Sequence, residues 1–265
     1  MSTESSSPYA VVTGASSGIG LELARIFACN GYDLMVVAED AGIENAAQSL
    51  RAEGAQVDAV QVDLATLNGM ESLCRRIDEG RRPVDVLALN AGIGVGGAFL
   101  EHDIADELRL INLNIVSTVY VAKHVLRAMA ERNEGRVLFT SSIAAESPQP
   151  FLATYAASKA FVQSFAEAIR NELKDTNIVV TALQPGATET NFFNRAQLQD
   201  TALAAAEKMD PAEVARAGYE ALMQGKDHVV SASLKERAQV LAGHVTPQTI
   251  MAEQARKQTE PGSGA

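Results

Sequence analysis

Short runs of β-branched and aliphatic residues alternate with longer segments whose apolar positions recur every three or four residues, and Gly or Pro marks most of the changes. Residues 9–13 read as a strand, 18–30 as a helix ended by Gly31, 34–38 as strand two, and 43–53 as a helix closed by Gly54. Strand three, 56–62, alternates in polarity; 67–79 is helical and followed by Gly80; Pro83 introduces strand four at 84–89. A long helix is predicted over 103–132, with Asp103 as N-cap and Asp106 and Glu107 in its early turns. Gly135 precedes strand five at 136–140, a helix follows over 154–174, and strand six, 178–183, stops at Pro185-Gly186. Asp210-Pro211 opens another helix by a cap plus proline at the first position, Gly225 ends it, and 228–232 is a short seventh strand. The remainder is expected to be helical, fraying over 260–265.

Strands alternating with helices through short connections predict an α/β fold: a single-domain, Rossmann-type, doubly wound parallel sheet of about seven strands. The domain is expected over 9–258, with disordered tails at 1–8 and 259–265. Ligands of such sheets sit outside the carboxyl ends of the strands, so the residues after each strand are where chemistry is sought.

Composition narrows the function classes. Hydrophobic residues make up 47% and charged residues 21% of 265, too apolar for a disordered chain. A formal charge of −11 disfavours nucleic acid and anionic membranes, both of which demand a basic face. No apolar run is long enough for a membrane span, and the Ser-rich start lacks the parts of a signal peptide, so a cytoplasmic setting is expected. Cys29 and Cys74 are too few for a disulfide framework or a zinc site and read as two small buried hydrophobes. His102, His124, His228 and His244 form no ligand pair, and no metal is expected.

After strand one comes Thr13-Gly14-Ala15-Ser16-Ser17-Gly18-Ile19-Gly20. The glycines permit a tight turn, a close backbone approach to a pyrophosphate and close helix–sheet packing, and the helix start offers free N–H groups to phosphate. The spacing is G-x-x-x-G-x-G, and it lacks the G-K-[ST] ending of a nucleoside-triphosphate loop. Strand two ends in Ala38-Glu39-Asp40, where an acid can accept from the adenosine ribose hydroxyls. That turn carries two acids and no base, which favours NAD over NADP; the plainer alternative is two solvated turn residues. Asp63-Leu64 ends strand three: Asp63 either bonds an adenine amino group or caps the following helix. Asn90-Ala91-Gly92 ends strand four, with small residues suited to a backbone lying on a cofactor; Asn90 either bonds that cofactor or braces the glycine loop. The long helix carries Asn112 and Asn114. Strand five runs into Ser142, and Tyr155 and Lys159 follow at i,i+4 on one helix face, where a nearby cation lowers a phenol's pKa toward use as an acid or base.

In this order the motifs resemble the short-chain dehydrogenase/reductase (SDR) family of the classical type, from about Tyr9 to at least His228. The resemblance makes 13–20 the family's glycine loop and Asp63 its adenine-contacting acid. Leu89 stands where a first Asn is common before Asn90-Ala91-Gly92, and Ser117 where Gly is usual after Asn114. It implies catalytic roles for Asn114, Ser142, Tyr155 and Lys159: Tyr155 exchanges the hydroxyl proton, Ser142 holds the substrate oxygen, Lys159 holds the ribose and lowers the Tyr155 pKa, and Asn114 places a relay water. Pro185-Gly186, Thr188 and Thr190 would hold the nicotinamide amide. The implied reaction is hydride transfer between NAD, with NADP the second possibility, and an alcohol or ketone, in a homodimer or homotetramer built through the two long helices.

Segment 191–209 resembles the family's variable lid. With Phe192, Phe193 and the facing segments 94–100 (Phe99 included) and 143–151 mostly apolar, and Arg195 the one nearby cation, an uncharged, fairly hydrophobic alcohol or ketone is expected. Whether the phenylalanines line the pocket or the core, and whether the segments after Ser233 close the pocket or an oligomer face, stays open. The alternative function is a nucleotide-binding regulator of the same fold with little or no catalysis.

Overall fold

The central β-branched runs pair because, buried on both faces, they satisfy their backbone groups only through one another. The computed structural model describes residues 7–243 and 246–264; the expected tail over residues 1–6 and His244 lie outside the described residues. The strands are β1 (Tyr9–Thr13), β2 (Asp33–Ala38), β3 (Val57–Gln61), β4 (Val86–Leu89), β5 (Gly135–Thr140), β6 (Ile178–Pro185) and β7 (His228–Ser231). They form one parallel sheet in the order β3-β2-β1-β4-β5-β6-β7. The chain winds outward from β1 to β3 and then returns to place β4 on the other side of β1. A crevice therefore opens at the carboxyl ends between β1 and β4.

The helices are α1 (Gly18–Cys29), α2 (Gly42–Ala52), α3 (Leu67–Glu79), α4 (Ile104–Ile111), α5 (Ser117–Arg132), α6 (Ala153–Glu172), α7 (Phe192–Arg195), α8 (Ala202–Ala205), α9 (Pro211–Met223), α10 (Leu234–Gly243) and α11 (Gln248–Thr259). Alternate strand residues feed two buried layers. On one face Val11, Met35, Leu87 and Phe139 meet Leu73 of α3, Val125 of α5 and Val162 of α6. On the other, Val12, Val36 and Leu138 meet Phe27 of α1, Leu50 of α2 and Leu222 of α9. Phe27 lies edge-on to Tyr32 and Tyr219 at centroid distances of 5.3 and 5.5 Å.

Four expectations change. The long helix is not unbroken: a π turn spans Asn112–Val116 between α4 and α5. There the hydroxyls of Ser117 and Thr118 donate to the carbonyls of Leu113 and Asn114 at 2.6 and 2.9 Å, and a turn with an extra residue relaxes the ordinary ladder. Asp63 does not cap α3; Thr66 does, its hydroxyl accepting from the Gly69 N–H at 3.0 Å. Cys29 is exposed, because it ends α1 on the solvent side, whereas Cys74 is buried and burial pushes its thiol up to about 11. The C-terminal end does not fray within the described residues. Thr259 closes α11 and donates to the Pro150 carbonyl at 2.6 Å, and the Gly262 and Gly264 N–H groups donate to the Asp200 carboxylate and carbonyl at 3.0 and 2.9 Å.

Candidate active site

The crevice is a cavity of about 440 Å³ whose walls come from the ends of all strands but β7 and from α6, α7, α10 and α11. Its floor is the glycine loop. Gly14 turns with φ +68°, and a side chain there would meet the Ala91 Cα at 2.8 Å. At Gly20 a Cβ would lie 2.1 Å from the Gly14 carbonyl oxygen and 2.5 Å from the Asn90 amide nitrogen. Asn90 thus braces the loop: its Nδ2 donates to the carbonyls of Thr13 and Gly14 at 3.2 and 3.3 Å, and Thr140 donates to its Oδ1 at 3.3 Å. The Thr13 hydroxyl accepts from the N–H groups of Asn90 and Ala91, closing the seam between β1 and β4. Ser17 begins α1 without a capping hydrogen bond, and no acid stands in the first turn. The positive end of α1, with Gly18 and Ile19 lining the cavity, suits a phosphate. Ser16 is drawn aside, donating to Asp40 at 2.8 Å, while Asp40 also accepts from the Gly42 N–H. Gly20→Ala is accordingly expected to displace the loop and weaken dinucleotide binding by more than about tenfold. Fluorescence titration checks this, and unchanged affinity would show that the loop does not form the floor.

The acidic turn does have bases, supplied by distant elements. Arg109 of α4 donates to Asp63 at 2.8 Å and also pairs with Glu39. Arg195 of α7 sits 3.6 Å from Asp40, so it faces this turn and not the substrate end. Burial would raise the Asp63 carboxyl, but hydrogen bonds from Arg109 and the Ala65 N–H, with the Arg109 charge, hold it below the ordinary carboxylate value. Leu64 is buried below Asp63 and lines the cavity.

Farther along the crevice Ser142, Tyr155 and Lys159 converge. Ser142 follows β5 and accepts from the Ala144 N–H at 3.1 Å, and its hydroxyl stands near enough to the Tyr155 phenol to act on it. Lys159 is buried and donates to the Thr140 carbonyl at 2.9 Å, its Nζ 5.8 Å from the Tyr155 ring centre. Burial pushes the phenol up to about 12, with Ser142 pulling the other way, and pushes the lysine down to about 8. The expected lowering of the phenol by Lys159 is therefore not found: removal from water raises the phenol, and the influence opposing it comes from Ser142.

Asn114 is buried in the π turn. Its side chain accepts from the Ile93 N–H and donates to the Ile93 carbonyl, both at 2.9 Å, and donates to the Ser158 hydroxyl at 3.0 Å. With all of this engaged, the amide fixes the segment after β4; a Cβ at Gly92 would lie 3.2 Å from both Asn114 Oδ1 and Lys159 Nζ.

Pro185 ends β6 and Gly186 donates to the Ser231 carbonyl at 2.8 Å. Thr188 donates to the Gly186 carbonyl, and the Thr190 methyl lies over Gly18, closing the crevice from above. The lid expected at 191–209 contains α7 and α8. Both its phenylalanines line the cavity: Phe193 also packs in a small core with Leu152, Ala196 and Leu198, and the Phe192 ring lies 5.0 Å from the Tyr155 ring. Phe99 does not reach the pocket; it is 56% exposed.

Sequence reasoning missed Arg109, and of the two alternatives it left for the segments after Ser233 the structure shows the one that closes the pocket. Val240 of α10 and Met251 and Ala255 of α11 line the cavity, and Glu236 accepts from the Ala187 N–H at 3.0 Å, stapling α10 to the loop after β6. The helical spacing of Met251 and Ala255 was a usable signal; nothing local marked Arg109.

Residues 8–201 match the family model described as short chain dehydrogenase. The chain is 33% identical over 264 residues to the dehydrogenase/reductase SDR family member 7B of Bos taurus, covering 94% of this chain and 81% of that protein. A short-chain dehydrogenase from Sphingobium yanoikuyae, solved in complex with NADPH, superposes with a TM-score of 0.80 at 29% identity, covering 93% of this chain and 95% of that one. The bulky-bulky ketone specific alcohol dehydrogenase from Comamonas testosteroni does so with a TM-score of 0.78 at 28% identity, covering 94% and 95%.

Proposed function

The chain belongs to the short-chain dehydrogenase family of oxidoreductases, and we propose that it transfers hydride between a nicotinamide dinucleotide and an uncharged, fairly hydrophobic secondary alcohol or its ketone. The observation that carries this reading is the convergence of Ser142, Tyr155 and Lys159 on the crevice that begins at the uncapped start of α1. The glycine loop fits a dinucleotide, since side chains at Gly14 and Gly20 would fill its cradle.

The bound nicotinamide supplies or accepts hydride at its C4. In the reducing direction Tyr155, protonated through the neutral range, hands its proton to the oxygen that gains charge. Ser142 hydrogen-bonds that oxygen and the phenol, steadying the charge where it develops. Lys159 presents an ammonium to the ribose hydroxyls from its anchor on Thr140. Asn114 acts as a positioning residue, holding the segment after β4 in register with Lys159 and placing a relay water. Asn90, Ala91 and Gly92 form the surface against which the cofactor lies. Ile19 and Leu64 flank its phosphate and adenine ends, Ser16 and Ser17 border the phosphates, and Asp63 takes the adenine amino group. Glu39 takes the adenosine ribose, with NAD favoured over NADP. Pro185, Gly186, Thr188 and Thr190 hold the carboxamide.

Leu152, Phe192, Leu203, Val240, Met251 and Ala255 support an apolar substrate, and the relative acting on bulky ketones agrees in kind. The exposed Ile104, Leu108, Val116 and Phe161 support association of two or four copies through the long helices. Among the described residues no helix is long and apolar enough to cross a membrane, and the reading includes a cytoplasmic setting. The test is a fluorescence titration with NADH and NADPH, followed by a panel of ketones and alcohols. Tight NADH binding with turnover of an apolar ketone is expected. Binding without turnover across the panel would shift the reading to a regulator.

A further inference from the structure

We propose that Arg109 decides, against Glu39, which dinucleotide the crevice takes: a cation lent to Glu39 when the adenosine ribose carries a hydroxyl and drawn to the 2′-phosphate when it carries one. This rests on the dinucleotide reading of the cleft. Three carboxylates and two guanidiniums meet at the ends of β2 and β3: Glu39, Asp40 and Asp63 with Arg109 and Arg195. Arg195 is the looser, 3.6 Å from Asp40. Arg109 is the organised one, its Nη1 bonded to Asp63 and its Nη2 to Glu39, so one planar fork spans two acids from two strand ends.

The arrangement makes the Glu39 arm exchangeable. The Arg109, Glu39 and Asp63 side chains are 39%, 36% and 35% exposed, so water screens both arms alike, but the Glu39 carboxylate has no partner besides Arg109 among the described residues. The Asp63 arm is reinforced, because Asp63 also accepts from the Ala65 N–H at 2.9 Å and stays anchored at the start of the turn before α3. A fork fixed at one prong and free at the other presents a donor beside Glu39, where the ribose would lie. A guanidinium matches phosphate oxygens with paired N–H groups, so a 2′-phosphate can take the prong from Glu39. A ribose hydroxyl offers no such charge and leaves Glu39 oriented by Arg109 as its acceptor. Glu39 and Arg109 therefore oppose each other toward the phosphate, and the effect of removing one depends on the presence of the other.

That dependence is measurable as a cycle of variants. The dissociation constants of NADH and NADPH are read from the cofactor's own fluorescence on the full chain, which has no tryptophan to interfere. Wild type, E39Q, R109Q and the double variant are compared, with R109K as a variant that keeps a cation without the fork. E39Q is expected to raise the preference for NADPH over NADH about tenfold when Arg109 is present and less than about threefold when it is not. R109Q alone is expected to weaken NADPH more than NADH, with R109K recovering part of that loss. NADPH binding is expected to be the more salt-sensitive in wild type, and this excess is expected to vanish in R109Q, a change that a merely structural role would not produce. An equal E39Q effect in both backgrounds, or a salt excess that survives R109Q, overturns the assignment while leaving the dinucleotide site intact. Failure of wild type to bind either dinucleotide overturns the underlying reading as well.

Discussion

Tyr155→Phe is expected to lower turnover by about a hundred- to ten-thousandfold, the range that a positioned proton donor contributes, and to leave dinucleotide affinity within about threefold. The substitution removes one oxygen and keeps the ring, so the packing on Phe192 at 5.0 Å survives. What is lost is the phenol hydroxyl beside Ser142. Because burial pushes that phenol up to about 12, the proton is in place throughout the neutral range and ketone reduction needs no ionised tyrosine. Alcohol oxidation needs the phenolate, whose fraction rises with pH below 12, so oxidation is expected to speed up from pH 6 to 9 while reduction does not. Steady-state rates in both directions, with affinity from fluorescence titration, check both statements. Turnover that survives in the Phe variant removes Tyr155 from its role.

Lys159→Met is expected to abolish turnover and, in the same molecule, to stabilise the free protein at neutral pH. Lys159 is 5% exposed, with the Thr140 carbonyl at 2.9 Å as its ammonium's one hydrogen-bonding partner among the described residues. Burial depresses its pKa to about 8 from an ordinary 10.5. Between those two values the unfolded chain holds the proton and the folded chain does not, so stability rises with pH across that window. Below pH 8 the folded protein carries a full burden on the order of 3 kcal/mol. Methionine fills similar space without charge, although leaving Thr140 without its donor returns about 1–3 kcal/mol. The expected gain in urea melts is about 1 kcal/mol at pH 7, shrinking toward pH 10. A Met variant less stable than wild type at pH 7 would mean that the hydrogen bond outweighs the cost of burying the charge.

Much of this was legible in the sequence because it is local. The glycine loop, Asn90-Ala91-Gly92 and Pro185-Gly186 each lie at the carboxyl end of a strand, and strand ends are marked by runs of β-branched residues meeting small ones. Tyr155 and Lys159 share a helix face by spacing alone. What escaped is non-local or depends on burial. Arg109 meets Glu39 across 70 residues of chain, and only the folded sheet brings α4 over the ends of β2 and β3. The direction of the Tyr155 shift follows from how completely the phenol leaves water, which an i,i+4 spacing does not report. The π turn lies where hydroxyls at 117 and 118 reach back to main-chain carbonyls, in a sequence that otherwise reads as uninterrupted helix. The α11 face and the Asp200 contacts of Gly262 and Gly264 make the C-terminal end a wall of the site, although its composition suggests a fraying tail.

The most direct measurement follows the hydride itself. Reduced dinucleotide carrying deuterium on one or the other face of nicotinamide C4 is mixed with the full-length protein and a bulky apolar ketone, and the alcohol is examined by mass spectrometry. Deuterium on the carbinol carbon, from one face only and dependent on Tyr155, is the expected result. Alcohol formed without deuterium from either face, or no alcohol from any ketone despite saturated dinucleotide binding, would contradict an oxidoreductase built on Ser142, Tyr155 and Lys159.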